Sequence, residues 1–122
     1  MGWMKLGALV LSLAVGLGAF GAHGLKQSLT PKAMDWWQVA VDYHFLHGFA
    51  LLFVGTHLDA APRRFSMVTS GRLFALGLIL FSGSLYTLAL TGYRWLGMVT
   101  PFGGLCFIAG WVAFAHAFRS VK

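Results

Sequence analysis

Apolar residues fall into four long runs separated by short polar stretches. The runs cover about residues 6–24 (LGALVLSLAVGLGAFGAHG), 38–58 (QVAVDYHFLHGFALLFVGTHL), 73–90 and 101–118, each 18 to 21 residues long. About 20 residues of helix cross a hydrocarbon core of ~30 Å. The pattern therefore predicts an all-α, polytopic membrane protein: a four-helix antiparallel transmembrane bundle, forming a single domain over residues 1–122. An even number of spans puts both termini on one side. The first run, with Lys5 before it and Ala19-Phe20-Gly21-Ala22 near its end, has a signal peptide as its rival reading. The chain starts at Met1 and three more spans follow, so a first span is expected.

The connections carry their own signals. Thr30 before Pro31 reads as an N-cap followed by proline at the first helical position. A short interfacial helix over about 31–37 is expected to lead into the second span, with Trp36 and Trp37 at headgroup level. Pro62 ends the second span, and residues 59–71 read as a polar turn. Tyr93, Arg94 and Trp95 are interface anchors, and Thr100-Pro101 repeats the cap-and-proline start.

Small residues mark the faces along which helices approach closely in lipid. At about 100° per residue, the first span has one such face at Gly7, Ala14, Gly18 and Ala22, and a second at Ala8, Ser12, Gly16, Ala19 and His23. Two faces predict two neighbours. Gly48 and Gly55 share a face of the second span, Gly77 opens a small, hydroxylated face of the third, and Gly103, Cys106, Ala109, Gly110, Ala113 and Ala117 form that of the fourth. Phe102, Phe107, Phe114 and Phe118 mostly lie off it. The hydroxyls of the third span are expected to bond back to their own helix or across to a neighbour.

The polar positions of the second span change the picture. Asp42, Tyr43, His44 and His47 sit in a stretch long and apolar enough to cross the membrane, where ionisable groups cost several kcal/mol and face a bundle interior by default. Tyr43 and His47 are four apart and share a face, whereas Asp42 points away from His47. Asp42 is thus not the expected partner of His47; it should reach the interface or pair with Lys26 or Lys32. With the third span starting near Leu73, Ser84 and Tyr86 match the depth of His47 and are its expected hydrogen-bond partners. His23, Tyr43, His44, His47, Ser84 and Tyr86 form the candidate intramembrane polar cluster.

Composition excludes a soluble globule. Of 122 residues, 58% are hydrophobic and 10% charged, where a soluble domain has about 25% charged. The net charge of +6 is spread singly or in pairs between the apolar runs, which argues for membrane flanks rather than nucleic-acid binding. Lys5, Arg63, Arg64, Arg72, Arg119 and Lys122 lie on one side, Lys26, Lys32 and Arg94 on the other, and this bias places the termini in the cytoplasm. The single cysteine, Cys106, forms no intrachain disulfide.

Four stretches, GAFGAHGLK at 18–26, AVDYHFLHGFALL at 40–52, FSGSLYTLALTG at 81–92 and LGMVTPFGGLCFIAGW at 96–111, resemble the YgdD-like family of small four-span membrane proteins. The resemblance covers nearly the whole chain and extends to His23, Tyr43, His47, Ser82, Gly83, Ser84, Tyr86, Thr100, Pro101, Gly103 and Gly104. It implies a bacterial inner-membrane location, with mitochondrial relatives in animals, and a domain of unknown function for which no reaction is implied. Where many members have Gln this chain has His44, and where many have Ala it has Gly48.

Three functional readings remain. In the first, the polar cluster bonds across helices and the protein is a structural or accessory component, packing against a membrane partner or a second copy. In the second, the cluster is a site for metal, haem or quinone, or a proton relay, with His23, His44 and His47 as weak metal candidates. The third, an enzyme pairing Ser84 with His47, lacks a nucleophile elbow, a metalloprotease helix or a phosphate loop. The first is the expectation, with no catalytic residue and no cofactor.

Overall fold

The computed structural model describes residues 2–121. Lys122, one of the bases used in the topology argument, lies outside the described residues. The described chain is all-helical. Four rods, Trp3–Leu25, Pro31–His57, Arg64–Thr91 and Arg94–Ala117, are long and apolar enough to cross a membrane.

The first rod is α1 (Trp3–Phe20), continued by a π turn over Gly21–Leu25. The second is one unbroken helix, α2 (Pro31–His57). Its N-cap is Thr30, whose hydroxyl accepts from the Ala33 amide at 3.1 Å, and Pro31 stands where no amide proton is needed. The short helix expected over about 31–37 forms the first turns of α2, continuous with the span it leads into. The third rod comprises α3 (Arg64–Gly77), a π turn over Leu78–Gly83, and α4 (Ser84–Thr91). It begins well before Leu73: once past Pro62, nothing in Arg64–Arg72 breaks a helix. Gly92, at φ 73, ends it in the left-handed conformation that glycine adopts without strain. The fourth rod is a 3-10 turn (Arg94–Met98) leading into α5 (Thr100–Ala117).

Consecutive rods run antiparallel. Gly7 faces Leu52 and Gly18 faces Val41, so numbers rise along α1 as they fall along α2. Ser82 lies on Ala40 and Phe74 beside His47, which sets the register between the second and third rods. Gly103 lies on Phe81 and Gly110 on Phe74, which sets it between the third and fourth.

The glycines make these approaches. A Cβ added to Gly48 would stand 2.7 Å from the Leu11 side chain, and one on Gly110 2.8 Å from Phe74. At Gly77 it would meet Phe107, and at Gly103 the backbone of Phe81 itself. Gly18 is looser, with Val41 at 3.4 Å. Ala22, expected on the same face, is exposed; Gly21 takes its place and holds the Trp37 indole. The π turn causes the difference, because its wider winding moves every later residue round the helix relative to α-helical spacing. On α5, Ala109 is exposed whereas Phe107 is buried against the second rod, reversing the two expected positions. Packing there follows a large side chain fitted to the Gly77 notch rather than a stripe of small ones.

The second small face of α1, Ala8, Ser12, Gly16 and Ala19, is exposed. Among the described residues no helix covers that face; the contact of α1 with the third rod is made elsewhere, by Trp3 on Gly71.

Candidate functional site

His47 is 2% exposed and sits at the centre of the bundle. Its Nδ1 lies 2.9 Å from the Tyr43 carbonyl, one turn earlier, and a carbonyl can only accept, so Nδ1 carries the proton. Nε2 is then free to accept, and the Trp111 indole donates to it at 3.1 Å. A neutral imidazole needs one acceptor and one donor, and here it has both. The ring also stacks on Phe107, with centroids 3.5 Å apart and planes 6° from parallel.

This corrects the expected partners. Ser84 and Tyr86 do not reach His47, because the third helix starts at Arg64 instead of near Leu73. In the observed register Ser84 lies about nine residues above His47, or ~13 Å along the axis. Tyr86 instead meets His44, its hydroxyl 2.8 Å from His44 Nδ1. Ser84 pairs with Thr100 at 2.6 Å across to α5, and also donates back to Phe81 O at 2.9 Å. Ser82 donates to the Ala40 carbonyl at 2.8 Å. The π turn separates these two serines in direction, sending Ser82 to α2 and Ser84 to α5. Thr87 and Thr91 bond back one turn, at 2.8 and 2.7 Å, as expected of hydroxyls in lipid.

His23 is exposed on the π turn and joins none of these contacts. His44 and His47 turn to different neighbours, one to Tyr86 and one to Trp111. The three histidines considered for a metal are therefore not brought together, and among the described residues no three His, Cys, Asp or Glu side chains gather into a ligand set. Tyr43 is 41% exposed and packs its ring on Phe81, centroids 4.4 Å apart.

Asp42 does not bond to His47; it is exposed and accepts from Gln38 Nε2 at 2.8 Å. It pairs with neither Lys26 nor Lys32. Lys32 stands about ten residues, ~15 Å, further out along α2, with its ammonium over the Trp36 ring at 5.5 Å. The ion pair among the described residues is Arg64–Asp59, 2.6 Å, at the opposite end. Arg63 there donates to the carbonyls of Arg119 and Ser120 at 3.3 and 3.4 Å, placing a cation at the C-terminal end of α5 where the helix dipole favours it.

Two further fastenings escaped the sequence reading, both tryptophans. Trp37 is buried, not interfacial, and donates to Leu17 O on α1 at 3.0 Å from the notch at Gly21. Trp111 was legible in one respect: it stands in mid-span, away from both headgroup levels, and an indole N–H in lipid needs an acceptor.

One buried hydroxyl is left over. Ser70 is 0% exposed and its Oγ has no partner among the described residues. An unpaired buried hydroxyl costs about 1–3 kcal/mol. Ser70→Ala is therefore expected to raise the thermal midpoint in detergent, by the equivalent of about 1 kcal/mol; a lowered midpoint would mean that the hydroxyl is used.

Comparison with known proteins agrees with this architecture. Residues 17–104 match the family model described as protein of unknown function (DUF423). The chain is 49% identical over 107 residues to a UPF0382 membrane protein of Staphylococcus haemolyticus, covering 88% of this chain and 86% of the relative. It is 45% identical to the UPF0382 membrane protein YwdK of Bacillus subtilis, covering 88% and 87%. No solved structure matches.

Proposed function

The chain belongs to the DUF423 family of membrane proteins, and from that premise we propose that it is a non-enzymatic component of the cell inner membrane, acting by packing there as a structural or accessory subunit. The observation that carries this reading is how the interior polar groups are used. His44, His47, Ser82 and Ser84 are all buried, and each bonds to another helix. His47, among the most deeply buried of them, has both ring nitrogens engaged, one with the Tyr43 carbonyl and one with the Trp111 indole. Such bonds are worth about 0.6–2 kcal/mol each in membranes; several at different heights fix register. The exposed small face of α1 supports the accessory role, since such a face lets a membrane partner or second copy approach closely.

Purification in mild detergent, with absorbance and metal analysis, tests the reading. Protein free of haem and of stoichiometric metal is expected. Haem or one metal per chain would overturn it.

Both termini are proposed to be cytoplasmic. Among the described residues, Lys5, Arg63, Arg64, Arg72 and Arg119 lie toward one end of the bundle, and Lys26, Lys32 and Arg94 toward the other. Reporter fusions after the last residue and within 26–32 are expected to report cytoplasmic and external positions respectively. Both on one side would contradict four spans.

A further inference from the structure

Asp42 lies at a depth where a carboxyl group finds little support. Gly18 faces Val41 and Gly48 faces Leu11, so Asp42 is level with Leu17 of α1. Leu17 stands nine residues from Lys26 and twelve from Lys5. At 1.5 Å per residue these are ~13 Å and ~18 Å, which together match a hydrocarbon core of ~30 Å. Asp42 is therefore close to the middle of the membrane. Yet it is exposed, on a surface that this chain turns to lipid. Among the described residues its hydrogen-bond partner is Gln38, one turn away on the same helix.

Ionisable groups inside a membrane face the bundle interior or pair with one another, because lipid offers them neither water nor a counter-charge. One amide N–H does not replace the several bonds that a carboxylate accepts. The chain's own bases are out of reach: Lys32 is ten residues further out on the same helix, and no Lys or Arg falls inside any of the four apolar runs. A counter-charge at this depth comes only from another molecule.

The surface around Asp42 has room for a helix. Ala40 and His44 of α2 face the third rod, through Ser82 and Tyr86, and Asp42 points about 160° from both. Val10 and Leu17 of α1 line a groove against Leu78 of the third rod, and Ala8 and Ala19 point about 160–180° from them. Asp42 and these small residues therefore lie on one side of the α1–α2 pair, opposite the third rod. Ala8 and Ala19 are exposed, and small residues let a helix approach closely. Leu46, Phe49 and Phe53, all exposed, continue the face inward along α2. A second copy in the same orientation brings no Lys or Arg to this depth, and a twofold pair through this face sets one Asp42 against the other.

We propose that this face docks a transmembrane helix of another protein that carries an Arg or Lys near mid-membrane, with the cation on the Asp42 carboxylate and the helix backbone close to the small residues of α1. Such a helix is the membrane partner of the accessory reading, on which the inference rests.

The full chain in phosphatidylcholine vesicles is titrated with a synthetic transmembrane helix of leucine and alanine that carries one central Arg and a terminal dansyl group. Saturable energy transfer from the protein's tryptophans is expected. The same peptide with Leu in place of Arg is expected to bind at least about tenfold more weakly. Asp42→Leu removes the charge at an exposed position, so the helical signal should be unchanged while binding falls by a similar factor. Ala19→Leu keeps Asp42 and blocks close approach, and should also weaken binding. The proposal is overturned by transfer that never saturates, by equal affinity of the Arg and Leu peptides, or by unchanged affinity in folded Asp42→Leu or Ala19→Leu. Energy transfer between dye-labelled copies of the chain that is lost in Asp42→Leu would give the face to a second copy, and overturns it as well. Absorbance and metal analysis judge the accessory reading separately: metal-free protein that ignores the Arg peptide sinks the docking face alone.

Discussion

Gly103→Ala is expected to be the most damaging conservative change in the chain. The added methyl would be driven into the backbone nitrogen and Cα of Phe81, and a backbone cannot rotate aside as a side chain can. α5 must move off the third rod. That loosens the Ser84–Thr100 bond at 2.6 Å and the Phe107 ring in its notch at Gly77. Overpacking alone costs about 1–3 kcal/mol, and with these losses the variant should lie at or above the upper end. Gly104→Ala is the matched control, because its Cβ would be 3.9 Å from Phe81, an ordinary contact. Thermal unfolding in detergent should show a large drop for Gly103→Ala and under about 0.5 kcal/mol for Gly104→Ala. Equal effects would mean that the two rods are not packed in this register.

His47 gives the second large effect. His47→Leu leaves the Trp111 indole N–H without an acceptor in the bundle interior and should cost about 1–2 kcal/mol. His47→Gln keeps one donor and one acceptor on a side chain of similar reach, so it should largely preserve folding. Any growth phenotype of a deletion should be complemented by His47→Gln and poorly by His47→Leu. A folded His47→Gln protein with no complementation would instead assign His47 a titrating or ligating role.

The parts of the fold visible in the sequence were those set by period and side-chain size. Gly48, Gly77, Gly103 and Gly110 lie on faces that helical spacing alone defines, and each is buried at a helix contact. What spacing could not supply was vertical register between helices. Hydropathy marks where the apolar run of the third span begins, not where its helix begins, and the turns from Arg64 to Arg72 displaced Ser84 and Tyr86 outward relative to His47. The two π turns were equally hidden. Gly21–Leu25 replaces Ala22 by Gly21 at the interface and turns His23 out, and Leu78–Gly83 divides Ser82 from Ser84. The need of His47 for one donor and one acceptor followed from its chemistry. The acceptor proved to be the Tyr43 carbonyl on its own helix, and the donor a tryptophan 64 positions away.

The central claim is that the interior polar side chains act as fastenings between helices, and a double-mutant cycle on His47 and Trp111 tests it most directly. Unfolding free energies would be measured for wild type, His47→Leu, Trp111→Phe and the double variant, in the same detergent. Because the Trp111–His47 bond at 3.1 Å disappears in either single variant, the double variant should be less destabilised than the sum of the two. A coupling of about 0.5–2 kcal/mol is predicted. Strict additivity, with a coupling near zero, would contradict the claim.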